Sequence, residues 1–139
     1  MIAFDTDVLV EILLGNATFV WRAAAVPASQ QFVPVVAVEE IIRGRLNAIR
    51  QAEAARTRLT VARAYELFTL SLVDLQRIAL LPYTPAAEAL FQQLRAQKVR
   101  VSTHDLRIAV IAMDHGATLV SRNRRDFDRV PGLSVEYWD

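Results

Sequence analysis

The chain contains no cysteine, which excludes disulfides, thiolate zinc centres and cysteine nucleophiles together. Its two histidines are too few for a histidine-rich metal cage, and Lys98 is the only lysine among its 16 basic residues. No uninterrupted apolar run approaches the roughly 18 residues of a membrane span. Nor does a basic region precede the first apolar stretch, so a secretory signal is not expected and a cytoplasmic protein is the default. The formal charge of +1 is too small to be an electrostatic signature of nucleic-acid binding. Arginine supplies all the other basic residues, and its planar fork suits phosphate. A compositional bias of the source genome explains that excess equally well.

What is present is apolar. Hydrophobic residues make up 53% of the 139 positions, enough for a single domain over 1–139 with a sizeable core. Residues 2 to 4 read as a short buried strand, and Val8 to Leu14 as a helix stopped at Gly15-Asn16. A second helix is predicted over Ala17 to Val26, ended by Pro27. The run from Phe32 to Val36 reads as strand two, with Pro34 drawing it to a sheet edge or a strand start. Helical patterning then holds from Ala37 to about Leu80 with one break, followed by a short strand near Leu80. Thr84 or Pro85 opens a helix to about Gln97, and Ser102-Thr103 caps another from His104 to His115. Ala117 to Ser121 is a strand, Arg124 to Asp128 a helical turn, and Leu133 to Val135 a last strand after the Pro131-Gly132 turn. Strands alternating with helices imply a parallel α/β sandwich, whose ligands bind outside the carboxyl ends of the strands.

Into this apolar background fall four short acidic stretches: Asp5-Thr6-Asp7, Glu39-Glu40, His104-Asp105 and the segment Asn123 to Asp126. A carboxylate beside a buried run is unfavourable unless it is paired or meets a cation. Asp5 ends a strand, where it also suits a plain helix cap. Glu40 shares a helix side with Ala37, Gly44 and Ala48, and a mid-helix Gly44 calls for close packing to offset its cost of about 1 kcal/mol. Spacing alone does not choose between Glu39 and Glu40. Asp105 lies on the same side as Ile108, Ala109 and Ala112, which points it inward. Asp126 follows the strand that ends at Ser121, with Phe127 as its anchor in the core, although a pairing with Arg122 or Arg129 is equally open. Acids gathered at one sheet end without lysines suit a divalent cation.

Four blocks in order carry a resemblance. They are Phe4-Asp5-Thr6-Asp7-Val8-Leu9, Val38-Glu39-Glu40-Ile41-Ile42-Arg43-Gly44, Thr103-His104-Asp105-Leu106-Arg107-Ile108-Ala109, and Leu119-Val120-Ser121-Arg122-Asn123-Arg124-Arg125-Asp126-Phe127. Over nearly its whole length the chain resembles the PIN-domain ribonucleases, and more closely the VapC-type toxins of type II toxin–antitoxin pairs. That resemblance implies a PIN-like three-layer α/β/α sandwich with a central, mainly parallel sheet of about four or five short strands. It implies Asp5, Glu40 and Asp105 as principal acids, because the family's glutamate stands four residues before the glycine. Asp126 is carried over as the fourth acid and Asn123 as a neutral helper, since family members differ between Asp and Asn at that position. Asp7 stands where Asn is common, and Ser121 replaces a frequent Thr while keeping the hydroxyl; with Thr6 these are supporting residues.

The expected activity is metal-dependent endoribonuclease cleavage, with Asp5, Glu40, Asp105 and Asp126 holding one or two Mg²⁺ or Mn²⁺ ions. Arg43, Arg45, Arg122, Arg124 and Arg125 lie near these acids in sequence and are candidates to hold the RNA backbone. By resemblance the partners are RNA, a cognate antitoxin whose C-terminal segment crosses the acidic groove, and a second copy in a homodimer. Apolar positions between Arg56 and Leu80 serve as interface or as core. Two alternatives stand beside this reading. One is a catalytically silent PIN-like module that binds RNA or protein. The other is an aspartate-nucleophile phosphatase built on Asp5-x-Asp7, disfavoured because Lys98 does not end a strand.

Overall fold

A central strand of a parallel sheet is covered on both faces, so it must be apolar throughout. Ile2-Ala3-Phe4 meets that demand as β1 of the computed structural model, which describes residues Met1–Asp139. β2 (Gln31–Pro34) and β4 (Thr118–Ser121) flank it, and β3 (Leu80–Leu81) and β5 (Val135–Tyr137) form the edges. The order is β3-β2-β1-β4-β5 and every pairing is parallel. From β1 the chain moves outward to β2 and β3, then crosses back to β4 and β5. The direction reverses between β1 and β4, which makes the carboxyl ends of those two strands the switch point where α/β sheets bind ligands.

Seven helices connect the strands: α1 (Thr6–Leu13), α2 (Ala17–Ala24), α3 (Val35–Glu53), α4 (Val61–Leu75), α5 (Pro85–Ala96), α6 (Thr103–Asp114) and α7 (Arg124–Phe127). Right-handed crossovers running in opposite directions along a sheet put α1–α2 and α5–α6 on opposite faces, giving three layers. The starts are set by side-chain caps. Asp5, Asn16, Thr60, Thr84, Ser102 and Asn123 each accept a backbone N–H at a helix start. α6 is buried nearly all round, with Ile108, Ala109, Val110, Ile111 and Ala112 at 0% exposure, as befits a helix packed inside a layer. No helix is long and apolar enough to cross a membrane.

The chain divides into two compact units, Met1–Ala37 with Ala79–Asp139, and Val38–Ile78. The first holds the whole sheet. The second is helical; within it Ile49, Ala64 and Ser71 are buried, and Arg45 Nε donates to Ser71 Oγ at 2.8 Å. Leu46, three residues before the buried Ile49, is 41% exposed.

Three expectations are corrected. Val35 and Val36 open α3 rather than extending β2. β-branched side chains are disfavoured in helices by the preceding turn, and a first turn has none. Pro34 ends an interior strand instead of lying at an edge or a start. Val33 N–H bonds towards β3 through Ala79 O at 2.9 Å, so alternation turns the missing Pro34 donor towards β1, beyond the last registered pair Ala3–Phe32. The final strand starts at Val135 because the turn runs on through Gly132, at φ +80°, and Leu133.

Candidate metal-binding site at the carboxyl ends of β1 and β4

Asp5 is the first residue after β1, and there the strand end and the helix start make competing claims on it. Both are met. Its Oδ1 accepts Thr6 N–H at 2.7 Å as the N-cap of α1, and its backbone N–H continues the ladder to Val120 O at 2.9 Å. Its Oδ2 accepts the Ser121 hydroxyl at 2.7 Å, in a bond that spans 116 residues of sequence. Ser121 is fully buried at the end of β4 and also accepts Asn123 N–H, at 3.0 Å. The cap reading of Asp5 therefore holds, and its second carboxylate oxygen is tied to β4.

Asn123 organises the other half of the site. Its Oδ1 caps α7 by accepting Asp126 N–H at 3.3 Å, while its Nδ2 donates to Asp126 Oδ2 at 2.9 Å and reaches Asp105 Oδ2 at 3.4 Å. One neutral amide thus stands between two carboxylates. Asp105 lies in the first turn of α6, half-buried, where Ser102 Oγ caps the helix by accepting Asp105 N–H at 3.2 Å. Asp126 pairs with neither Arg122 nor Arg129.

The electrostatics of these acids are those of an uncompensated cluster. Burial and the neighbouring Asp7 carboxylate raise the Asp5 pKa to about 7, with a smaller push from Asp105, against the lowering effect of its Ser121 and Thr6 hydrogen bonds. Burial, followed by Asp126 and Asp7, also raises Asp105, partly offset by Ser102. Asp7 Oδ1 and Thr6 Oγ1 are buried without a hydrogen-bond partner. No lysine or arginine forms an ion pair with Asp5, Asp7, Asp105 or Asp126. Hard oxygen donors with an orphaned carboxylate oxygen among them fit a divalent cation chemically. No three histidine, aspartate or glutamate side chains close around one point. Mg²⁺ keeps much of its water and takes only one or two carboxylates directly.

Glu40 belongs to the second unit, on α3, where it is half-buried; Glu39 is exposed and bonded to Arg43 Nη2 at 2.6 Å. Gly44 has no close packing, since a Cβ there would meet nothing within 4 Å, so the expected reason for this glycine is absent. Of the five arginines named from sequence, Arg122 bonds Glu11 at 3.1 Å and Arg124 bonds Asp139 at 2.9 Å while lying over the Tyr137 ring. Arg45 is held by Ser71, and Arg125 is exposed without an ion pair. Sequence reasoning missed Glu11, whose bond to Arg122 crosses 111 residues and leaves no local signal.

The PIN domain family model matches residues 2–133. Ribonuclease VapC1 of Rickettsia felis is 24% identical over 132 residues, spanning 94% of this chain and 91% of that protein. Among solved structures, VapBC2 from Rickettsia felis, bound to a DNA fragment from its promoter, matches with a TM-score of 0.76 at 19% identity, over 100% of both chains. A toxin–antitoxin complex from Klebsiella pneumoniae matches with a TM-score of 0.70 at 20% identity, over 96% of this chain and 95% of that one. With the family model covering almost its entire length, the chain belongs to the PIN domain family.

Proposed function

We propose that the chain is a Mg²⁺- or Mn²⁺-dependent endoribonuclease and the toxin of a toxin–antitoxin pair. The observation that carries this reading is the uncompensated meeting of Asp5, Asp7, Asp105 and Asp126 at the β1/β4 switch point. Clustered carboxylates raise one another's pKa and destabilise the fold unless a cation neutralises them. Membership of a family with ribonuclease relatives supports a phosphodiester substrate.

Asp5, Asp105 and Asp126 are the ligands in this reading, joined by Glu40 through its place four residues ahead of Gly44 in the family motif. A Mg²⁺ or Mn²⁺ ion held there would supply charge neutralisation for a phosphodiester and a more acidic water. The chain's own residues prepare for this. Ser121 and Thr6 fix both oxygens of Asp5, so its orientation is set before any ion arrives. Asn123 holds Asp126 near Asp105 without adding a charge. Ionisation of Asp5 near neutral pH makes cation affinity rise as pH passes about 7. Arg125, exposed beside the acids, is free to meet the RNA backbone.

The partners in this reading are a cognate antitoxin and a second copy of the chain, acting in the cytoplasm. Tyr65, Leu70, Leu72 and Val73 of α4 are exposed and offer apolar surface to the second copy. The test is cleavage of total cellular RNA by purified protein, with Mg²⁺ or Mn²⁺ against EDTA, beside Asp105→Asn. Metal-dependent cleavage lost in a folded variant is expected. Absence of both cleavage and divalent binding in the wild type would leave a silent binding module.

A further inference from the structure

The only lysine of the chain occupies a backbone position that suits glycine. α5 closes with Lys98 N–H on Arg95 O at 2.9 Å and Val99 N–H on Leu94 O at 3.2 Å. This is the paired arrangement whose pivotal residue is usually glycine. Lys98 holds that pivot at φ +61°, a left-handed conformation disfavoured for any residue with a Cβ. Backbone strain retained at one position is a reason to ask what its side chain does.

Lys98 lines a cleft of about 630 Å³ together with Gln97, Val99, Arg100, Arg129 and Pro131. Three of these six are cations and none is an acid. Lys98, Arg100 and Arg129 form no ion pair, in contrast to Arg122 and Arg124, which Glu11 and Asp139 neutralise. Arg129 Nη1 donates to Arg100 O at 3.2 Å and ties the two lips of the cleft together. The cleft therefore concentrates positive charge in a chain whose net charge is only +1.

Its place in the fold gives that charge a use. Thr84, the cap of α5, bonds Asp114 at the far end of α6 at 2.6 Å, and Arg95, near the end of α5, reaches Thr103 at the start of α6 at 3.4 Å. The two helices are thus antiparallel, and the loop between them lies at the end of α6 that carries Asp105. Arg129 follows α7, which carries Asp126. Both lips of the basic cleft continue directly from elements that supply the acidic site.

We propose that Lys98, Arg100 and Arg129 form a phosphate-binding subsite that holds the backbone of single-stranded RNA beside the acidic site. The inference rests on the ribonuclease reading for its substrate. Phosphate contacts fix register without reading bases, so the subsite anchors RNA strands of any sequence, and its loss falls on KM rather than on kcat.

The test compares Lys98→Gly, Arg100→Gln, Arg129→Gln and the triple variant, with thermal melts as a folding control. Lys98→Gly relieves the left-handed strain while deleting the cation, so this variant melts no lower than its parent even though its binding weakens. Binding of dye-labelled oligouridylate is followed by anisotropy against salt in an Asp105→Asn background with Mg²⁺, and cleavage is measured in the wild-type background. The triple variant is expected to lose about 2 from the slope of log affinity against log salt, since each single-strand phosphate contact contributes about 0.7. Its KM should rise about tenfold. An unchanged slope in a folded triple variant, or no oligouridylate binding by the parent, would overturn the proposal. So would an unchanged RNA slope with weakened binding of polyglutamate, which would assign the cleft to an acidic protein partner. If the wild type cleaves no RNA yet the triple variant still loses its slope, the nuclease reading fails and the subsite stands.

Discussion

Replacing Asp5 by asparagine preserves the shape of a side chain that is 5% exposed and removes its charge. The consequence for stability follows from where that charge titrates. In the unfolded chain the Asp5 carboxyl ionises at its ordinary value of 3.8; in the fold, burial and Asp7 raise it to about 7. Between those values the folded protein keeps a proton that the unfolded chain has released. Its stability therefore falls as pH rises from about 4 to about 7 and levels off above, the opposite direction to a salt-bridged aspartate. Each pKa unit corresponds to about 1.4 kcal/mol, which sets a ceiling of about 4 kcal/mol at full ionisation. Local relaxation and water entry make about 2 to 4 kcal/mol the working range. Asparagine can still cap α1, and the Ser121 hydroxyl can rotate to accept from the new amide. In EDTA at about pH 8, Asp5→Asn is therefore expected to melt about 6 to 12 °C above the wild type. At about pH 4 the two should melt together within about 2 °C. Saturating Mg²⁺ should raise the wild type and leave the variant where it was. Melting curves followed by circular dichroism across this pH range, with EDTA and then with Mg²⁺, supply the data. Taking the difference between the two proteins cancels the other titrating groups. If Asp5→Asn melts below the wild type at about pH 8 in EDTA, the charge is not a source of instability and the reasoning from burial fails.

Ser121→Ala removes one donor from Asp5 and one acceptor from Asn123 N–H, and should cost about 1 to 3 kcal/mol in chemical denaturation. The loss should shrink in an Asp5→Asn background; equal losses in both would show that the two side chains are not coupled. Asn123→Ala takes the cap from α7 and should cost about 1 kcal/mol by the same measurement. It also frees Asp126 from its place near Asp105, so calorimetric Mg²⁺ affinity should weaken by about 10-fold or more. An unchanged isotherm would remove Asn123 from the site.

Much of the frame was legible because local chemistry wrote it. The order apolar run, acid, helix-forming residues at 2–13 predicts a strand whose end carries a carboxylate, and the caps at Thr84 and Ser102 stand where their sequence signals place them. The buried side of α6 was equally readable, from Ile108, Ala109 and Ala112 three to seven residues after Asp105. The parts that could not be read are those decided across the chain. Nothing local says that Val35 and Val36 start a helix, because strand and first-turn environments both accept a β-branched residue. Nothing local joins Ser121 to Asp5 or Glu11 to Arg122. Nor does Gly44, open on its Cβ side, report the packing that its position suggested. Lys98 was readable as the single lysine, placed away from a strand end; its left-handed backbone and basic neighbours emerge from three-dimensional placement.

The bond between Ser121 and Asp5 also orders events in time. A ribosome emits Ser121 116 residues after Asp5, an interval of about 6 to 23 seconds at ordinary elongation rates. Trp138 N–H, which closes on Ser121 O at 3.0 Å, arrives later still. Until then Asp5 has neither its β4 neighbour nor its second hydrogen-bond donor. A chain still in synthesis, or one cut short before β4, carries the acid but not the site, so whatever chemistry this centre performs begins only once β4 has been made.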